Sequence, residues 1–183
     1  LLIMKKTNLT LCVLYLVSSL TVLKAQPCKE IVGYYPNWQW YDRSKLVNPV
    51  TIDYSKYSIL NYAFFSPQTN GVVINTDTWA DENLLMGPFN WSTNAYDSVQ
   101  SLPYQSRIHN VKLLMSVGGW TLSDNFPAIA ADPSLRTAFA GSCIQLVDMY
   151  HFDGVDIDWE YPGFTDHQGT PNDRANYILL LQE

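Results

Sequence analysis

Acidic and apolar side chains alternate along one stretch near the end of this 183-residue chain, and this stretch most constrains its fold. Residues 152–163 run Phe-Asp-Gly-Val-Asp-Ile-Asp-Trp-Glu-Tyr-Pro-Gly. Successive side chains of a β-strand point to opposite faces. The alternation therefore predicts a strand that has Asp156, Asp158 and Glu160 on one face. The other face would carry the intervening side chains, Val155, Ile157 and Trp159.

Crowded carboxylates on one face favour acid–base chemistry. Like charges repel, which raises some of the pKa values and lets the group share protons. A carboxylic acid that is still protonated near neutral pH is what a general acid must be. A solvated acidic edge strand is the first alternative, and the regular apolar partners disfavour it. A Ca²⁺ or Mg²⁺ site is the second, but the stretch has no histidine and no calcium-loop glycines, so no metal is predicted.

The beginning of the chain has the pattern of a secretory signal peptide. Met4, the expected start, is followed by two lysines and by an apolar run over residues 9–23. A small residue, Ala25, then marks the expected cleavage point. The run is short for a transmembrane anchor. Residues 1–25 are therefore predicted to be removed, and the mature protein to be secreted.

Signal removal would leave a strongly acidic chain. The sequence has 11 basic and 17 acidic residues, and three lysines lie in the signal, so the mature net charge is 8 − 17 = −9. Without a basic cluster, a nucleic-acid binder is excluded. Aromatic residues with acids instead fit a carbohydrate cleft, in which rings stack on the apolar faces of sugars. The two cysteines that remain, Cys28 and Cys143, are expected to be free thiols.

Apolar runs alternate with helical stretches in the rest of the chain. Strands are predicted at residues 31–35, 58–65 and 111–117 and in the acidic stretch, with a minor strand at 71–74. Helices are predicted at residues 99–109, from Pro133 to 150, and from Asn172 or Asp173 onward. Such alternation is typical of an α/β fold with a parallel sheet.

The aromatic, glycine-rich and acidic features all follow strand ends, as at the catalytic face of a (β/α)8 TIM barrel. A full barrel takes about 250 residues, and only about four β/α units are found here. Residues 26–183 are therefore predicted to be a truncated barrel, its N-terminal half. A four-strand doubly wound sheet is the alternative, although it would lack a phosphate-type glycine fingerprint.

Four motifs resemble those of one enzyme family. Residues 152–163 resemble the DxxDxDxE active-site signature of the family 18 glycoside hydrolases, the chitinases. Residues 112–120 resemble the SxGG motif of that family, and residues 33–38 and 61–65 resemble its first two strands. The resemblance covers nearly all of the mature chain but only about half of a family catalytic domain.

The resemblance implies a catalytic role for each acid. Glu160 would protonate the glycosidic oxygen and later serve as the base for water. The 2-acetamido oxygen of the substrate would attack the anomeric carbon, so cleavage proceeds with retention and without a second carboxylate as nucleophile. Asp158 would orient the acetamido N–H, and Asp156 would share a proton with Asp158.

The resemblance also implies supporting and binding residues. Asp153 and Ser116 would support the carboxylates. Substrate binding is assigned to Tyr34, Phe64, Gly119, Trp120 and Tyr161. The expected ligand is chitin or an N-acetylglucosamine oligosaccharide, without a cofactor, on a monomer. Later family strands carry a tyrosine, further acids and a tryptophan that have no match here, so the 183-residue chain alone is expected to be inactive.

Two alternatives remain at this point. A non-catalytic lectin of the same fold would bind chitin without cutting it. A relative of the chitinases would cleave other N-acetylglucosamine polymers, such as peptidoglycan or N-glycans. The presence of Glu160 together with Asp156 and Asp158 favours an enzyme over a lectin.

Overall fold

A computed structural model describes residues 29–183 of the chain. The predicted signal peptide and Cys28 lie outside these residues, and Cys143 is a buried free thiol. Within the described part, no helix has both the length and the apolar character that crossing a membrane requires.

Seven strands and five α-helices make up the described chain. The strands are β1 (Val32–Pro36), β2 (Ile59–Pro67), β3 (Val73–Asn75), β4 (Phe89–Asn90), β5 (Ala95–Tyr96), β6 (Lys112–Gly118) and β7 (Gly154–Asp158). The helices are α1 (Thr78–Leu85), α2 (Leu102–Ile108), α3 (Phe126–Ala131), α4 (Pro133–Tyr150) and α5 (Asp173–Gln182). The main sheet has the order β1-β2-β6-β7 with all four strands parallel, β3 pairs antiparallel with β2, and β4 and β5 form a hairpin.

The sheet has one apolar face and one polar face. The apolar face packs beneath the helices, and its most buried side chains are Tyr62, Phe65, Met115 and Val117, all 0% exposed. On the polar face, Ser116 of β6 lies in register with Asp156 of β7. Side chains alternate along each strand, so burying one face against helices leaves the other to line a concave surface.

One side-chain hydrogen bond spans the polar face of the sheet. Tyr34 lies on β1 and Asp156 on β7, the two outer strands of the parallel set. In a flat sheet these strands would lie about 14 Å apart, since neighbouring strands are about 4.8 Å apart. The Tyr34 hydroxyl nevertheless donates to Asp156 Oδ2 at 3.1 Å. Side chains that stood upright on a flat sheet would not meet across that spacing, so the contact fits a sheet that curves around its polar face.

The α/β class and the parallel sheet predicted from the sequence are confirmed. The four parallel strands follow chain order without a reversal, whereas a doubly wound sheet reverses its strand order at the switch point. The doubly wound alternative is therefore wrong for this sheet. The closed barrel stays a prediction for the whole protein.

The long helix was predicted at its observed position. Asp132 caps α4 by accepting hydrogen bonds from the N–H groups of Ser134 and Leu135 at 2.7 and 3.2 Å. Pro133 occupies the first turn, where its missing N–H costs nothing. Two apolar residues of α4, Ile144 and Met149, lie on its outer side and are 62% and 61% exposed.

Helices α1 and α3 were not predicted. The sequence suggested only a minor strand within the polar excursion at 66–96, but α1 begins there after Asp77, whose side chain accepts from the N–H of Ala80. The predicted helix at 99–109 is shorter, because a 3₁₀ turn at Ser98–Gln100 precedes α2.

Candidate active site

Asp156 is held by two hydroxyl groups on the polar face of the sheet. Ser116 Oγ donates to Asp156 Oδ2 at 2.8 Å, and the same oxygen accepts from Tyr34 at 3.1 Å. The two hydroxyl groups fix the position of this carboxylate oxygen. The predicted supporting role of Ser116 has a direct geometric basis in this contact.

Asp158 lies two residues further along β7, beside the pair Gly118 and Gly119. Gly118 is in register with Asp158, and the Gly119 N–H donates to the Asp158 carbonyl oxygen at 2.7 Å. Burial raises the pKa of the Asp158 carboxyl above its usual 3.8, and the neighbouring carboxylates of Glu160 and Asp156 raise it further. Asp158 therefore holds a proton more strongly than an isolated aspartate.

Glu160 does not lie on the strand. The sequence predicted a strand that includes Glu160, but β7 ends at Asp158. Glu160 follows in an irregular segment, half-buried, with a cis peptide bond to Tyr161. Its backbone N–H donates to Ser123 Oγ at 2.9 Å. The backbone of Glu160 is thus held by a residue of the loop after β6 and not by the hydrogen bonds of the sheet.

Trp159 packs into the helix layer, as the alternation predicts. Its side chain is 5% exposed, stacks on Phe126 of α3 at 5.3 Å between centroids, and meets Tyr177 of α5 edge-on at 5.4 Å. Trp159 thereby fixes the chain immediately before Glu160.

One aromatic group lies at the ends of β1 and β2. Phe64 is half-buried, with its ring centroid 6.2 Å from Tyr34 and 6.4 Å from Trp38. Tyr34 and Trp38 are 52% and 54% exposed. A Cβ on Gly119 would lie 3.0 Å from the Phe64 ring, so glycine lets this ring approach the carboxylates.

A second aromatic group surrounds Trp120. This side chain is 51% exposed and lies 6.4 Å from Tyr161, 5.7 Å from Phe164 and 4.6 Å from His167 between ring centroids. Interaction with the Glu160 carboxylate raises the pKa of the Tyr161 hydroxyl. The structure therefore brings together all the predicted binding residues and the three acids after Gly154.

Asp153 does not join this cluster. It precedes β7, at the opposite end of the strands, and accepts from Lys112 Nζ and the Leu113 N–H, both at 2.9 Å. Partial burial opposes ionisation, but these donors outweigh it and lower the pKa of Asp153. Its position fits a structural role that joins β6 to β7.

Sequence reasoning missed two buried polar residues. Ser123 contacts the backbone of Glu160, as described above. Asp173 is 0% exposed and accepts from the N–H groups of Gly163 and Thr170, both at 2.9 Å, and so ties down the loop after Glu160. Neither residue belongs to the quoted motifs. Ser123 lies shortly after the end of β6, and Asp173 was expected only as a possible start of the last helix.

The remaining tryptophans divide by exposure. Trp40 is buried, with Lys45 Nζ 3.1 Å from its ring centroid. Trp79 and Trp91 are 43% and 77% exposed and stack at 6.3 Å. In residues 29–183 no three histidine, cysteine, aspartate or glutamate side chains are grouped so as to hold a metal ion.

Comparison with known proteins identifies the family. The model of "Glycosyl hydrolases family 18" matches residues 30–183. This chain belongs to family 18 of the glycosyl hydrolases. The family 18 resemblance drawn from the four motifs is therefore confirmed.

Individual relatives agree with the family 18 match. Endochitinase 1 of Metarhizium anisopliae is 37% identical over 81% of this chain and 34% of its own length. Chitinase A1 of Niallia circulans is 32% identical over 84% of this chain and 27% of its own length. The chain thus spans about a third or less of these family 18 proteins.

A solved structure also matches the family 18 fold. Catalytic domain 2 of the Ostrinia furnacalis group II chitinase, in complex with penta-N-acetylchitooctaose, superposes with a TM-score of 0.66 at 27% identity. The match covers 84% of this chain and 38% of that chain.

Proposed function

We propose that the full-length protein is a chitinase that hydrolyses the β-1,4 bonds between N-acetylglucosamine units. The observation that carries the proposal is the group of three carboxylates, Asp156, Asp158 and Glu160, at the C-terminal end of β7. Within this group, the pKa of Asp158 is raised. The chitin oligosaccharide bound by the Ostrinia furnacalis relative supports the substrate class.

In this mechanism Glu160 gives its proton to the glycosidic oxygen as the bond to the anomeric carbon breaks. The 2-acetamido oxygen of the substrate attacks that carbon from the opposite side and gives a cyclic oxazolinium ion. Asp158 accepts a hydrogen bond from the acetamido N–H and so aims the oxygen at the carbon. Water, deprotonated by Glu160, then opens the ring ion with net retention.

Asp156 would serve as the partner of Asp158 in this sequence. Ser116 and Tyr34 both donate to Asp156 Oδ2, and these bonds fix the position of that oxygen. A charged Asp156 beside Asp158 favours the proton on Asp158 at rest. Movement of that proton towards Asp156 would leave Asp158 negative when positive charge develops on the acetamido group.

The curvature of the sheet supports a barrel around this site. The hydrogen bond from Tyr34 to Asp156 crosses the concave face between the outer parallel strands. We infer a (β/α)8 barrel of which residues 26–183 form the first four units, with the exposed rings of Tyr34, Trp38 and Trp120 on the catalytic face.

Exchange of Glu160 for glutamine tests the assignment. In the full-length protein, Glu160→Gln is expected to lower kcat on N-acetylglucosamine oligosaccharides at least about a hundredfold, because the general acid is lost. Oligosaccharide affinity, measured by calorimetry, should remain within a few-fold. Glu30→Gln, at an exposed position before β1, is the matched control and should leave both quantities unchanged.

The results separate the enzyme from the alternatives. Undiminished turnover in Glu160→Gln would mean that the acid is assigned wrongly. Binding without turnover in the wild-type protein would identify a lectin. Turnover of peptidoglycan or N-glycans in preference to chitin would identify the relative with another substrate.

A further inference from the structure

Glu160 is the only one of the three site carboxylates that lies outside the strand. Asp156 and Asp158 belong to β7, whose backbone is fixed by the ladder to β6. Glu160 comes two residues after the last strand residue. Its carboxyl can be placed for proton transfer only if another group holds the backbone there.

Ser123 provides that group. The Glu160 N–H donates to Ser123 Oγ at 2.9 Å, and the Ser123 hydroxyl donates to the Gly119 carbonyl oxygen at 2.9 Å. The same Oγ lies 3.4 Å from the Asp158 carbonyl oxygen. One hydroxyl therefore joins the loop after β6 to the backbone on both sides of Trp159.

Ser123 is itself held rigidly. Its side chain is 0% exposed, and its carbonyl oxygen accepts from the Phe126 N–H at 3.1 Å where α3 begins. Phe126 in turn stacks on Trp159. The loop after β6 and the segment before Glu160 are thus connected by a hydrogen bond and by an aromatic stack.

We infer that Ser123 is a positioning residue that holds Glu160 where its carboxyl reaches the glycosidic oxygen. The inference rests on the proposed function, in which Glu160 is the general acid. Removal of the Ser123 hydroxyl leaves the partly buried N–H of Glu160 without its acceptor. The carboxyl then moves relative to a substrate that the aromatic rings still bind.

The leaving group of the substrate distinguishes positioning of the acid from general stability. A sugar hydroxyl leaves only when it is protonated, whereas 4-nitrophenolate is a weak base and leaves with little help. Loss of acid placement therefore slows cleavage of an N-acetylglucosamine tetrasaccharide more than cleavage of the 4-nitrophenyl glycoside of the disaccharide. Partial unfolding slows both by the same factor.

Ser142 offers a matched control. It is a buried serine of α4 that accepts from the Val73 N–H at 2.9 Å and donates to the Phe139 carbonyl oxygen at 2.9 Å. Its two backbone contacts are like those of Ser123 but involve neither the carboxylates nor the aromatic rings of the site.

The experiment compares Ser123→Ala, Ser142→Ala and Glu160→Gln in the full-length protein. In Ser123→Ala, kcat on the tetrasaccharide should fall about tenfold more than kcat on the nitrophenyl glycoside, with KM within about twofold. Ser142→Ala should change both rates equally. Ser123→Cys, with similar volume and a weaker acceptor, should lie between the wild type and Ser123→Ala, and it replaces the alanine variant if that one does not fold.

The inference about Ser123 is overturned if kcat falls equally on both substrates in the Ser123 variants while Glu160→Gln still loses more kcat on the tetrasaccharide than on the nitrophenyl glycoside. The proposed function would stand in that case. If Glu160→Gln shows no loss on the tetrasaccharide, the proposed acid is wrong, and the role of Ser123 falls with it.

Discussion

At the residue scale, the pKa values of Asp158 and Asp153 are shifted in opposite directions, although only four residues lie between them in the chain. Burial and the charges of Glu160 and Asp156 raise the pKa of Asp158. At Asp153, burial has the same tendency, but hydrogen bonds from Leu113 and Lys112 prevail and lower the pKa. The difference follows from position, because the two carboxyls lie at opposite ends of β7.

These shifts predict opposite pH dependences of stability. The folded state binds the Asp158 proton more strongly than the unfolded chain, so this group makes the protein less stable as pH rises above about 3.8. As pH rises from about 3 to about 7, the free energy of unfolding of Asp158→Asn should therefore increase relative to that of the wild type. Asp153 contributes stability above about pH 3.8, and this contribution is lost as pH falls. The loss of stability in Asp153→Asn relative to wild type should therefore be largest at pH 7.

Thermal melting of both variants across this pH range measures the two differences. Each exchange also changes packing and the contacts that both protonation states make, and that part does not depend on pH, so the slopes are the quantities to compare. Slopes of the same sign would contradict the charge environments described for the two aspartates.

At the scale of elements, the turn after β6 brings the site together. Gly118 has a φ of +110°, and a Cβ there would lie 2.4 Å from the Asp158 carbonyl oxygen and 2.7 Å from the Phe126 ring. Glycine alone adopts this conformation readily and leaves room for the neighbouring strand. The close approach of β6 and β7 at this end depends on the missing side chain.

Gly118→Ala is expected to destabilise the protein by about 3 kcal/mol or more, because it adds backbone strain and a steric clash. Gly141→Ala is the matched control. Gly141 lies within α4 with no atom within 4 Å of its added Cβ, and alanine is favoured over glycine in a helix by about 1 kcal/mol. Urea unfolding of both variants provides the test, and an unchanged midpoint for Gly118→Ala would refute the steric argument.

Helix α1 shows why some elements escaped prediction. Four of its eight residues are polar, and one of them, Asp81, is 0% exposed. The carboxylate accepts from Tyr62 at 2.6 Å, Asn37 at 3.0 Å and Asn75 at 3.1 Å. A polar residue with such partners is buried without an apolar pattern, so periodicity gave no signal for this helix.

At the scale of the whole molecule, the signal-peptide pattern at residues 1–25 predicts that the protein is exported. Expression of the complete sequence in a secreting host should give an extracellular protein that begins at Gln26, as found by N-terminal sequencing. Replacement of Lys5 and Lys6 by glutamate should reduce export, because the signal needs a basic start. Intracellular protein that retains residues 1–25 would contradict the prediction.

The sequence by itself determined the approximate positions of the four parallel strands, the capped helix α4, the family and the candidate acids. These features depend on local patterns: alternation, apolar runs and motifs that remain contiguous along the chain. The aromatic residues named from the motifs also lie beside the acids, at the ends of β1, β2, β6 and β7.

Only the tertiary structure decided how the acidic stretch is held. Alternation placed Asp156, Asp158 and Glu160 on one strand face, but β7 ends at Asp158. Glu160 is held instead by Ser123, 37 residues earlier in the chain, and Tyr34 reaches Asp156 across 122 residues. Such contacts depend on the curvature of the sheet and the course of its loops, which no local pattern of residues records.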